Sequence, residues 1–346
     1  EAKYPLMLSA SLILRSGEKV IASRRISIKE EGTYTINPIF DPIWISQVID
    51  SHVNTSLDII QAEMEIKIFD EEKRTLYKDY DRVRIAPPFT IPEQISSLDF
   101  IDLLPALTIP QSYEICYLAR RAQELANYSQ NPVDILKAIY EILHLMHINC
   151  TSSLPDYFDI DGLRLVKIMP PNILLDIKQG NPFEIALLIT SILETTGIRP
   201  YIIALHPSRS SRAINARILV GIQLSEHNAF LIDVLSLGHR NFDYAYEVAR
   251  EEYMKYAYSY PDLIKIVDIR ARREEGLRPT IAPKLPHNTF NKVRREIDLA
   301  INRIKFQRFL AQIIPLALIG ITIIGVGALI ASSLTSSPAK DKEEKV

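Results

Sequence analysis

Apolar residues are most densely concentrated between residues 180 and 201, where few positions are polar. Asn181 is a favoured N-cap residue, Pro182 stands at the first helical position, and Glu184 completes a capping box. Gly197 stands where a left-handed residue would end the helix. The pattern therefore predicts a helix that is buried on all sides, followed directly by a buried strand.

Strand-like alternation dominates the first 88 residues. Met64, Ile66 and Ile68 alternate with charged residues, which is typical of a strand with one face on a core and one in solvent. Four such runs are separated by turn residues, and they cover residues 6–14, 19–28, 33–40 and 57–69. We therefore expect an N-terminal antiparallel β-sandwich-like domain over residues 1–88.

A proline-containing stretch near residues 87–110 separates this region from an α+β pattern that we assign to a domain over residues 89–278. Two runs with a 3.6-residue period predict amphipathic helices ahead of the buried helix. After it, two apolar runs predict paired strands, and a charged stretch predicts further helix. In chain order these elements cover residues 115–126, 135–146, 214–224, 229–234 and 240–280.

The C-terminal part reads as a proline-rich linker and juxtamembrane helix over residues 279–308, a transmembrane helix over residues 309–333 and a short charged tail over residues 334–346. The span is predicted because about 20 uncharged apolar residues suffice to cross a bilayer. Before it runs a stripe with heptad spacing that would dimerise or pack on its own domain, formed by Phe290, Val293, Ile297, Ala300 and Ile304.

Two orientations of this span remain open. The chain begins at Glu1, which favours removal of a signal peptide and an extracellular globular part. The basic residues before the span favour the alternative, a cytoplasmic, tail-anchored protein. Under the extracellular reading, three Asn-x-Ser/Thr sequons permit glycosylation, at Asn54, Asn127 and Asn149.

Composition narrows the classes of partner and cofactor. The net charge is −2, from 40 basic and 42 acidic residues, so no nucleic-acid partner is expected. Frequent isoleucine, few glycines and abundant charged residues are typical of a thermophilic archaeon.

Cys116 and Cys150 would form either a disulfide or two buried free thiols. His144 and His147 share a helix face, but no further ligand joins them, and we expect no metal and no cofactor.

The stretch from residue 113 to residue 235 resembles the transglutaminase-like (papain-related) superfamily, whose core begins its buried helix with Gly-x-Cys-x-Glu. The resemblance implies a catalytic cysteine at the helix start, a histidine on the first following strand and an acid at the end of the second. Pro182 stands where the cysteine would be, Arg217 where the histidine would be, and Asp233 matches the acid. The resemblance therefore implies a member that lacks two of its three catalytic groups.

These observations predict a non-catalytic, membrane-anchored protein that acts as a binding or assembly component of a membrane or cell-envelope complex. The partner would be another protein or a second copy of the chain. The alternative is a membrane-anchored peptidase or acyl transferase of the same superfamily with an unrecognised nucleophile. A third hypothesis treats the soluble part as a scaffold for another membrane subunit, bound through the span and the heptads.

Overall fold

A computed structural model describes most of the chain between residues 8 and 335. The described residues are 8–16, 19–28, 60–70, 72–85, 89–92, 101–152, 156–160, 163–208, 216–225 and 228–335. They form two compact units, Glu1–Ile297 and Asp298–Val346. The strand expected over residues 33–40 lies outside the described residues.

Strands and helices alternate irregularly along the chain. The strands are β1 (Leu8–Ser16), β2 (Lys19–Ile28), β3 (Ile60–Phe69), β4 (Thr75–Ile85), β5 (Thr90–Pro92), β6 (Asn149–Cys150), β7 (Asp156–Ile160), β8 (Leu163–Lys167), β9 (Gln179–Gly180), β10 (Pro200–Leu205), β11 (Arg217–Ser225), β12 (Asn228–Asp233) and β13 (Ile264–Asp268). The α-helices are α1 (Tyr113–Leu125), α2 (Pro132–Leu145), α3 (Pro171–Ile177), α4 (Pro182–Thr195), α5 (Phe242–Ser259), α6 (Ile269–Glu274) and α7 (His287–Thr335).

The prediction of an N-terminal β-sandwich is wrong. The described part of residues 1–88 forms one antiparallel sheet with the strand order β2, β1, β3, β4, and no second sheet packs on it within the described ranges. Burial gives the physical reason. Ile66 and Ile68 of β3 are only half-buried, and the described side chains of β4 are exposed, as an unopposed sheet requires.

The central helix α4 confirms the prediction made from its sequence. Asn181 caps it and exchanges both bonds of a capping box with Glu184. At its other end Gly197 has a φ of 82°, and the Ile198 amide donates to the Leu193 carbonyl, which together form a left-handed C-cap. Every residue from Phe183 to Leu193 is buried, so the helix runs through the core.

A second antiparallel sheet, with strand order β12, β11, β10, β13, lies between helices. On one face, Ile203 and Leu219 form a cluster with Ala249 of α5. The alternate residues, Ile202 and Val220, are also fully buried, and α4 packs against β10 and β11. The strands expected over residues 214–224 and 229–234 are therefore confirmed as an antiparallel pair, β11 and β12.

The part of the chain that connects the two sheets contributes side chains to the core of the first unit. Ile101, Leu104, Leu107 and Ile109 are all buried, and a 3₁₀ turn covers Leu104–Leu107. The short strand β5 pairs with β8, and β8 pairs with β7, in a small antiparallel sheet. The proline-containing stretch thus carries apolar side chains into the domain that follows it.

The transmembrane helix expected over residues 309–333 is not found in the part of the chain that the structure describes. These residues continue the helix α7, in which side chains are described only as far as Ile313. Among the residues with described side chains, no helix is long and apolar enough to span a membrane. Between residues 292 and 308, α7 carries several charged side chains, which include Lys292, Arg295 and Arg303. The side chains of residues 314–333 lie outside the described set.

Candidate functional site

The N-terminus of α4 is capped by its own side chains, and it contacts a neighbouring loop. The Asn181 side chain accepts hydrogen bonds from the amides of Phe183 and Glu184, and the Asn181 amide donates to Glu184 Oε2 at 2.9 Å. The other carboxylate oxygen of Glu184 accepts from the Met169 amide at 2.7 Å. Burial raises the pKa of this carboxyl, and these backbone donors oppose the rise.

Pro182 occupies the first helical position, where the predicted superfamily would carry its cysteine. A proline suits this position because the amide that it lacks has no partner within a helix, and because its fixed φ matches the helix. The helix start therefore keeps its geometry without offering a nucleophile.

Arg217 and Asp233, the other two predicted positions, lie together on β11 and β12. Arg217 Nε donates to Asp233 Oδ1 at 3.1 Å, and Ser236 Oγ donates to Asp233 Oδ2 at 2.8 Å. A second carboxylate, Glu252 on α5, lies 3.5 Å from Arg217 Nη1. Asp233 is 1% exposed, so its charge is held by an arginine and a hydroxyl inside the protein.

Cys150 lies close to the start of α4, a placement that its sequence position did not indicate. The two-residue strands β6 and β9 pair in parallel and set Cys150 beside Gly180, two residues ahead of the helix. Burial, together with the nearby carboxylates of Asp233 and Glu184, raises the pKa of the Cys150 thiol to about 12. Because only the thiolate is a strong nucleophile, this raised pKa disfavours a nucleophilic role for Cys150 at neutral pH.

The two cysteines are free thiols, with Cys116 exposed and Cys150 buried. The disulfide considered from the sequence is therefore absent, and only one of the two thiols is buried. Partial desolvation of the sulfur also raises the pKa of Cys116, whose thiol donates to the Pro110 carbonyl at 3.3 Å. Neither cysteine has the lowered pKa that nucleophilic catalysis needs.

Among the described residues, the histidines do not build a metal site. No group of three or more potential ligands lies together among the described residues. Burial lowers the pKa of His144, and the nearby His147 and His239 lower it further. His239 instead contacts the Cys150 carbonyl through Nε2 at 3.3 Å.

Two of the three glycosylation sequons can be located. Asn127 has a φ of 53° in the turn after α1. Asn149 lies in β6, where its Oδ1 is so close to Gly238 that a Cβ on that glycine would meet it at 2.0 Å. Asn149 is therefore packed into the fold, and Asn54 lies outside the described residues.

Comparison with known proteins gives little beyond this geometry. No family model matches the chain, and no curated protein does. Among solved structures, the chain is similar to a putative protease from Parabacteroides distasonis ATCC 8503, with 14% sequence identity and a TM-score of 0.28. The match covers 66% of this chain and spans 41% of the length of that one.

Proposed function

We propose that the unit Glu1–Ile297 is a non-catalytic binding or assembly module whose core retains a transglutaminase-like arrangement of helix and strands. The observation that carries the proposal is the ion pair between Arg217 and Asp233. In a triad, the acid orients a histidine that takes up and returns the proton of the nucleophile. Here the acid binds a guanidinium, which stays charged and cannot act as a base near neutral pH.

The state of the thiols supports the same proposal. The chain contains only two cysteines, and desolvation raises the pKa of both. Pro182 at the helix start has no nucleophilic group. A thiol-dependent enzyme on this core would therefore have to work with a protonated sulfur, which is a poor nucleophile.

A binding role is supported by exposed tyrosine and aliphatic side chains of the same unit. The helix α5 buries only three residues, and several large side chains on it and next to it are exposed. They are Tyr244, Met254, Tyr258, Tyr260 and Ile266. Tyrosine is enriched in protein interfaces because it combines a large apolar ring with a polar tip.

The proposal is tested by assays of amine incorporation into a glutamine donor and of peptide cleavage. The wild-type chain is compared with Pro182→Cys and with the double variant Pro182→Cys/Arg217→His. We expect no turnover from the wild type or from Pro182→Cys, because no base is present to activate the new thiol. Slow turnover from the double variant alone would agree with a core that has lost only its catalytic groups.

Cys150→Ser serves as the control for the enzymatic alternative. Turnover by the wild type that disappears in Cys150→Ser would identify a catalytic thiol and overturn the proposal. Turnover that survives in Cys150→Ser but disappears when Asp233 is replaced would also overturn the proposal.

A further inference from the structure

A cavity of about 930 Å³ opens between the start of α1 and the proline-rich segment 278–290. Its walls are largely apolar and include Ile109, Ile281, Leu285 and Phe290. The volume lies within the range of small-ligand pockets, which typically combine apolar walls with a few polar groups. The sequence did not indicate this cavity, because its two sides are more than 160 residues apart in the chain.

Glu114 lines the cavity and is only 6% exposed. It is the second residue of α1, after the N-cap Ser112. Among the described residues, no hydrogen bond or ion pair reaches its carboxylate. The partial positive charge of the helix N-terminus stabilises this carboxylate in part, but a carboxylate that lines a largely apolar cavity without a partner still favours a bound cation.

Basic side chains surround the mouth of the same cavity. Arg278, Lys284 and His287 line it and are exposed, and the described residues include no ion-pair partner for them. None of the three lies within ion-pair distance of Glu114. The cavity therefore offers a negative charge inside, apolar walls and positive charges at the rim.

We propose that this cavity binds a lysine side chain of a partner polypeptide whose neighbouring residues are acidic. The four methylenes of lysine suit apolar walls, and its ammonium would be the missing partner of Glu114. Carboxylates on either side of that lysine would meet Arg278 and Lys284. The inference names a partner's chemistry at a site separate from Arg217 and Asp233, and it does not rest on the loss of catalysis.

Fluorescence anisotropy with the full chain tests the proposal. The probes are labelled, N-acetylated pentapeptides in which the central residue, lysine or norleucine, stands between two pairs of acidic residues. Norleucine keeps the alkyl stem without the charge, so the lysine peptide should bind at least about 10-fold more tightly, as expected for one charge-assisted contact. Glu114→Gln should remove that preference.

Two further variants separate the contact from general charge effects. Asp243→Asn removes one charge at the second position of α5 and should leave binding unchanged. Lys284→Ala should weaken binding of the acid-flanked peptide while leaving a glycine-flanked lysine peptide unaffected, because only the former meets the rim.

Three outcomes would overturn the inference: no binding of the lysine peptide, equal binding of the norleucine peptide, or an unchanged preference in Glu114→Gln. Butylammonium is the last probe. If it competes at concentrations similar to the peptide's dissociation constant, the site takes a free amine, and the partner polypeptide is excluded. The outcomes are independent of the turnover assays above, because no step requires Pro182, Arg217 or Asp233.

Discussion

At the scale of single residues, the most informative contact is a buried carboxylate held by an arginine. Asp233 is 1% exposed and is bound by Arg217 and Ser236, so removing either partner changes the environment of a charge that water cannot reach. Arg217 itself is 29% exposed, and solvent screens part of its interaction. This pair should therefore contribute to stability as well as exclude a catalytic histidine.

We predict that Arg217→Met lowers the free energy of unfolding by about 2 kcal/mol, less than for a fully buried pair because the guanidinium is partly exposed. Urea unfolding followed by circular dichroism measures the change. The double variant Arg217→Met/Asp233→Asn should recover part of the loss, since it no longer buries an uncompensated charge. Arg250→Met on exposed α5 is the matched control and should change little. A similar loss of unfolding free energy in Arg217→Met and in Arg250→Met would contradict this account.

Residues whose roles are set by their chain neighbours were the ones that the sequence predicted well. Asn181, Glu184 and Gly197 act through bonds within a few residues, and each does so in the structure as predicted. The surroundings of Glu114 and Cys150 depend on segments distant in the chain. No local pattern reports a distant packing partner, so neither environment was predicted.

At the scale of elements, the N-terminal sheet shows why periodicity alone misled the fold prediction. The strand β4 reads TLYKDYDRVRI, with charged side chains at five of its 11 positions, and it was not recognised as a strand. It nevertheless pairs with β3 along its whole length. A strand that faces solvent on both sides needs no apolar alternation, whereas α4, buried all round, has an unmistakable pattern.

Within this sheet, Glu65 joins two lysines that stand opposite each other on β3 and β4. Its carboxylate lies 2.8 Å from Lys67 Nζ and 3.0 Å from Lys78 Nζ, and it relieves the repulsion between them. Hydrogen bonds from Lys67 and Lys78 together lower the pKa of Glu65 to about 2, against the opposing effect of burial.

We predict that the sheet loses stability as the pH falls from about 5 to about 2. A carboxyl whose pKa is lower in the folded state stabilises the fold above its unfolded pKa, here 4.5, and the stabilisation disappears as the pH approaches the folded value. Unfolding in urea at pH 7, 4.5 and 2.5 measures this dependence. Glu65→Gln should flatten it in this window, whereas Glu63→Gln, at an exposed neighbouring position, should not. An unchanged pH profile in Glu65→Gln would refute the assignment.

At the scale of the whole molecule, the first unit extends further than its prolines suggest. The segment after α6 is tied to the core, where the Thr280 amide donates to the Ala106 carbonyl and Asn172 Nδ2 donates to the Pro283 carbonyl. Arg273 links the same region to Glu194 at the end of α4. The proline-rich stretch is therefore hydrogen-bonded to the core and is part of the fold of the first unit.

The first three turns of α7 complete that unit. Val293 and Ile297 are almost fully buried. On the flanks of this face, Lys292 pairs with Asp176 at 2.7 Å and Glu296 with Lys178 at 3.0 Å. The heptad stripe predicted from the sequence is therefore buried within the chain at these two positions, which favours packing on its own domain over dimerisation there.

Because Val293 and Ile297 are buried, the start of α7 should contribute to the thermal stability of the first unit. A fragment of residues 1–297 should keep a melting temperature close to that of the first unit in the full chain. A fragment of residues 1–286 should melt about 6 °C or more lower, because it leaves the sites of Val293 and Ile297 open. Each aliphatic side chain contributes about 1.5–3 kcal/mol by burial, and about 1 kcal/mol corresponds to 2–4 °C in a unit of this size. Val293→Ala/Ile297→Ala in the longer fragment is the control, and it should account for most of the difference. Equal melting of the two fragments would show that the start of α7 is not part of the unit's core.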